Sequence, residues 1–213
     1  MSKPSKNLLT AAALVSTLAI SASGATAYEQ PDYQVVTKEG DYEVRRYAPY
    51  VIAETTVTGE SERASNQAFM RLFRYISGKQ RKELRPDDPK IAMTVPVTMQ
   101  YDGASTRMAF MVPGKYTLET APAPADSSVH LRIEPGRLVA VFSYSGRSSQ
   151  DRFHVRKDLL KSWIASHGFE ASSEPLFAQY NGPFTPWFLR RNEVLIPIVD
   201  PEDLPGSTTS EAQ

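Results

Sequence analysis

Lys90-Ile91-Ala92-Met93-Thr94-Val95-Pro96-Val97-Thr98-Met99 is the stretch on which the reading of this chain turns. Ile91, Met93, Val95 and Val97 alternate with Ala92, Thr94, Pro96 and Thr98, the period-2 pattern of a strand with one buried face. Pro96 interrupts the pattern with a residue that has no N–H to give to a sheet ladder. The stretch therefore reads either as a core strand that tolerates an edge proline or as an unpaired apolar strand walling a pocket.

Outward from it, the chain repeats itself. Val51-Ile52-Ala53-Glu54-Thr55-Thr56-Val57-Thr58-Gly59 and Leu138-Val139-Ala140-Val141-Phe142-Ser143-Tyr144-Ser145-Gly146 stand 87 positions apart, with alanine and glycine in register. Each runs into a helical pattern. Ala64, Ala68, Phe69, Leu72, Phe73 and Ile76 recur at helical spacing before Gly78, and Val155, Leu159, Leu160, Trp163 and Ile164 do so before Gly168. Ser148, three residues before Asp151, has the arrangement of a weak N-cap. Apolar segments follow each helix, Lys90–Met99 and Met108–Val112 in the first half, Leu176–Tyr180 and Val194–Val199 in the second.

Both halves thus read strand, strand, helix, strand, strand, over about 33–116 and 129–199. Thr117–Ser128, with Ala121-Pro122-Ala123-Pro124-Ala125, reads as a stiff connector. Four strands and one helix cannot bury both faces alone, so the halves are expected to share one core. The predicted fold is α+β, a duplicated, distorted eight-stranded antiparallel barrel flanked by two long helices, forming one domain over 28–200.

The first 27 residues have the layout of a secretory signal peptide. Lys3 and Lys6 precede an uncharged run, Leu8–Ile20, and small residues end at Ala25-Thr26-Ala27. The run is short of the ~20 residues that span a bilayer. An exported, periplasmic or secreted protein without a stable membrane anchor is the expectation, with residues 201–213 a disordered tail. The chain has 24 basic and 24 acidic residues, and loss of Lys3 and Lys6 leaves a net charge of −2. That balance argues against nucleic acid as a partner. With no cysteine, the chain forms no disulfide and attaches no haem covalently through Cys-x-x-Cys-His.

No catalytic signature appears. His130, His154 and His167 lack partners at metal-ligand spacing, and there is neither a Gly-x-Ser-x-Gly elbow nor a phosphate-cradling glycine loop. Phe69 and Phe73 lie one helical turn apart beside Met70 and Arg74, ahead of a charged loop, 79–90, and the Met93–Met99 segment. A flat apolar ligand with carboxylate arms suits such a site. The same residues equally suit the buried stripe of a packed helix.

Four short motifs carry a resemblance. Tyr42-Glu43-Val44-Arg45-Arg46-Tyr47-Ala48-Pro49, Met93-Thr94-Val95-Pro96-Val97, Met111-Val112-Pro113 and Arg190-Arg191-Asn192-Glu193-Val194 resemble, in order, the SOUL haem-binding protein family. The resemblance implies the duplicated barrel and reversible, non-covalent binding of haem b or another tetrapyrrole against the first helix. Carried over by position, it implies Asn66, Phe69, Phe73 and Arg74 as site residues, and Thr185 where relatives place a basic residue. Met70, Met93 and Met99 complete the expected pocket.

One branch of that family has histidine where Arg46 stands here. Guanidinium stays protonated and offers no lone pair to iron, so this position cannot supply an axial ligand. The axial ligand is left open, with Tyr75, Tyr47 and Met70 as alternatives. An enzyme using Glu193, Glu43 or Tyr180, or an interaction module without cofactor, are the competing expectations.

Overall fold

The computed structural model describes residues 28–79, 90–182 and 184–201. In chain order the elements are β1 (Tyr33–Glu39), β2 (Tyr42–Tyr47), β3 (Tyr50–Thr58), α1 (Glu62–Ile76), β4 (Val97–Tyr101), β5 (Ser105–Met111), β6 (Val129–Glu134), β7 (Arg137–Ser145), α2 (Gln150–Ser166), β8 (Leu176–Gln179) and β9 (Arg191–Pro197). A single 3-10 turn, Trp187–Leu189, precedes β9. The proposed leader, most of the charged loop and all of the tail after Pro201 lie outside the described residues.

The strands form one antiparallel sheet in the order β1-β2-β7-β9-β8-β4-β5-β3-β6. It curls into half a barrel with β1 and β6 as its edges, and the two helices cover one face. The expected α+β class holds, with nine strands among the described residues where eight were anticipated, because β1 adds a hairpin partner to β2 outside the repeat. Without β1 the order is palindromic about the β8–β4 pair. Each half contributes β3-β5-β4 or β7-β9-β8, and the first strand of each half crosses over: β2 pairs with β7, and β6 with β3.

β3 and β7 are the 87-residue repeat, with identical lengths and bounds offset by that spacing. Both run into Gly59 (φ +92°) and Gly146 (φ +117°), a backbone turn that side chains with Cβ resist. Ser61 then caps α1 through Ala64 N–H, and Ser149 caps α2 through Arg152 N–H. The α2 cap is therefore one residue beyond the expected Ser148.

Pairing at Lys90–Met99 starts only at Val97. Upstream of it the chain is held otherwise: Thr94 Oγ1 donates to Met111 O (2.7 Å) and Val95 N–H to Glu29 O (2.8 Å). Pro96, lacking an N–H, marks the boundary and faces the side of the sheet away from the helices. The connector is docked, with Tyr75 Oη of α1 donating to Pro122 O at 2.7 Å and Ala121 buried.

Alternate side chains build two apolar clusters. The larger lies between sheet and helices, with Leu72, Tyr75, Phe110, Ala140, Leu160 and Val194 at its centre. The smaller, with Tyr47, Val139, Val141, Tyr180 and Leu195, lies on the concave face.

Candidate functional site

The two sides of α1 divide cleanly. Ala64, Ala68, Leu72, Tyr75 and Ile76 face the sheet and are buried. Asn66, Phe69, Met70, Phe73 and Arg74, at i, i+3, i+4, i+7 and i+8, form the opposite stripe. Phe69 is half-buried against Phe110, edge to face, and stacks on Phe73 with centroids 6.0 Å apart and an 11° interplanar angle. Phe73 and Met70 remain 43 % and 44 % exposed, which settles that they are not the core stripe of the helix. Arg74 ends the stripe, and with Arg71 it lies near Asp126, whose carboxyl is held low first by the Ser128 hydroxyl and backbone.

The other expected members do not all join them. Met93 packs at the edge of the large cluster. Met99 is a correction: only 4 % exposed, it points from β4 into that core, where Tyr101 Oη meets its Sδ at 3.6 Å, and it presents nothing to a ligand outside. Thr185 lies in the turn before β9, its carbonyl accepting from Arg190 Nε (2.8 Å). Around it Phe184, Trp187, Phe188 and Leu189 are all more than half exposed, an apolar segment that the sequence reading did not single out.

The axial alternatives narrow likewise. Tyr75 is fully buried and its hydroxyl is engaged with Pro122. Tyr47 lies on the concave face, where burial, partly offset by Arg45, pushes its hydroxyl up to about 12. Arg46 pairs with Asp200. Met70 alone of these sits on the outer face of α1. The stripe thus fits a tetrapyrrole as an apolar face with a cation at one end.

The motif residues of β2 and β9 have a different role. Arg45, 2 % exposed, donates through Nη1 and Nη2 to Glu193 at 2.9 Å each and through Nε to Glu43 at 2.7 Å. Glu193, with no exposure, also accepts from Tyr180 Oη (2.6 Å), Ser143 Oγ (3.0 Å) and Arg191. Burial pushes the Glu193 carboxyl up, but the Arg45 and Arg191 guanidiniums and the Tyr180 hydroxyl outweigh it and hold it below the ordinary range. A carboxylate so fully engaged is structural. Glu43, Tyr180 and Glu193 therefore meet in one buried network that binds β2 to β9. Among the described residues no group of three potential metal ligands occurs.

A duplicated α+β half-barrel with an exposed aromatic stripe on its first helix defines the class of protein. The chain belongs to the SOUL heme-binding protein family, whose profile matches residues 28–197. No curated protein matches it. Among solved structures it is similar to the EcmrR C-terminal domain at 12 % identity, covering 79 % of this chain and 98 % of that one (TM-score 0.54). In the EcmrR–DNA complex it matches at 11 % identity, covering 78 % of this chain and 57 % of the longer one (TM-score 0.55). A hydrolase from Listeria innocua matches at 10 % identity, covering 77 % and 94 % (TM-score 0.51). At these identities the likenesses concern the fold alone.

Proposed function

We propose that this protein binds haem b or a related tetrapyrrole reversibly and non-covalently on the outer face of α1, acting as a carrier or buffer rather than an enzyme. The exposed Phe73–Met70 pair at the end of the Phe69 stack carries the reading, because two large apolar side chains on adjacent turns are left uncovered beside a guanidinium. Phe69, Phe73 and Met70 would cover the ring, Arg74 would meet a propionate, and Asn66 would border the face. Apolar burial at ~25 cal/mol per Å2 supplies affinity without an iron bond, so iron-free protoporphyrin is expected to bind about as well as haem. Against catalysis stands the engagement of Glu193, Glu43 and Tyr180 in the buried network. Export through the leader at 1–27, to the periplasm or outside the cell, belongs to the same proposal.

The test is an absorbance and fluorescence titration of the full chain with haem and with protoporphyrin. A 1:1 complex is expected with both, and Phe73→Asp should weaken both at least tenfold while leaving the far-ultraviolet circular dichroism unchanged. Binding lost on removing the iron, or undiminished in a folded Phe73→Asp protein, would overturn the site.

A further inference from the structure

The internal duplication superposes two lobes on the concave face, one filled and one open. Offsets of 87 residues between β2 and β6 and between β3 and β7, and of 86 between β5 and β9, follow from the strand registers. They make Arg132 the counterpart of Arg45, and Arg107 the counterpart of Glu193. In the filled lobe Arg45 reaches across β7 to Glu193 and closes the space with a buried ion pair. In the open lobe the same positions hold two guanidiniums, which cannot close on one another.

Arg132 turns instead to Glu54 (3.0 Å) and Glu134 (2.9 Å), and Arg137 joins Glu134 (2.8 Å). A narrow, solvent-open cleft remains, with Tyr50, Ile52, Met111, Val139, Leu176 and Leu195 among its walls. Its two inner carboxylates are balanced by Arg132 and Arg137. Arg107 is left with the Gln100 side-chain oxygen and no ion-pair partner among the described residues. Asp102, beside it, spends its oxygens on Ala104 N–H, Ser105 N–H and the Ser105 hydroxyl. Glu174, at the mouth, is exposed.

We infer that this cleft is a second ligand site, separate from the α1 face, for a small organic carboxylate with an apolar body. The carboxylate lies between Arg107 and Arg132, in the space that the Arg45–Glu193 pair closes in the filled lobe, and the apolar body lies along Tyr50, Ile52 and Leu195. Charge-assisted hydrogen bonds to a planar guanidinium give the selectivity for an anion, and the aliphatic and tyrosine walls give the affinity. The inference is independent of haem binding.

Isothermal calorimetry of the full chain with 3-phenylpropionate and with 3-phenylpropylamine tests it. Saturable 1:1 binding of the acid is expected, with at least tenfold weaker binding of the amine. Arg107→Gln, at an exposed position whose loss leaves the fold intact, should weaken the acid roughly tenfold or more, whereas Phe73→Asp should leave it unchanged. Absence of saturable binding by the acid, equal or tighter binding of the amine, or an unaltered affinity in Arg107→Gln would each overturn the inference.

Discussion

Glu193 shows how a single residue holds this sheet together. Its carboxylate is buried without exposure and satisfied by Arg45, Arg191, Tyr180 and Ser143. Removing one partner of a buried pair leaves the other charge stranded, at a cost of about 3–5 kcal/mol. Glu193→Gln is therefore expected to lower stability at pH 7 by about that amount, read from urea unfolding; an unchanged midpoint would refute the structural role. Because folding lowers the Glu193 pKa, its contribution is fully present above the unfolded value of about 4.3 and is lost as pH falls through the lower folded value. The parent should lose stability across that acid window, and the stability of Glu193→Gln should change less there. At the same scale, Arg107 and Glu193 occupy matching positions with opposite charge, and Glu54 and Glu134, which hold Arg132, stand where the filled lobe has Val141 and Tyr47.

Among the elements, α1 and α2 start alike and end alike. Ser61 and Ser149 each satisfy an otherwise orphaned N–H in the first turn, and Gly78 and Gly168 follow the helix ends with φ of +83° and +73°. Ser61→Ala and Ser149→Ala should each cost about 1 kcal/mol in thermal or urea unfolding. Equal stability to the parent in either would mean that the cap is dispensable. For Ser61 the loss falls on the helix that presents the aromatic stripe, so the haem titration of Ser61→Ala checks whether fraying there reaches Phe69. The Lys90–Met99 stretch is the instructive miss at this scale. Its alternation is genuine, but Thr94 bonds through its side chain to Met111 at the end of β5 and Val95 N–H donates to Glu29, so the backbone ladder waits for Val97.

For the whole molecule, the exchange of first strands is decisive. β2 completes the second half and β6 completes the first, so neither half has all its neighbours within its own sequence. Fragments 28–120 and 121–201 should each fail to unfold cooperatively in urea, while the chain spanning both does so in one transition. A fragment with a cooperative transition of its own would contradict this shared construction.

From the sequence alone, the duplication, the two helices with the glycines that end them and the family motifs could be recognised, because periodicity and turn residues are local signals written within a few positions of one another, whereas the N-caps at Ser61 and Ser149 came from the structure. The stripe Asn66–Arg74 was visible in the same way, but which of its two readings applied was not. Only the tertiary structure decided that Phe73 and Met70 face outward, that Met99 is core, that Tyr75 and Tyr47 lie away from the outer face of α1, and that Arg45 meets Glu193. Burial and pairing between residues 148 positions apart depend on which strands become neighbours. Strand order follows from the exchange between the two halves, a property of the assembled sheet that no short window of sequence contains.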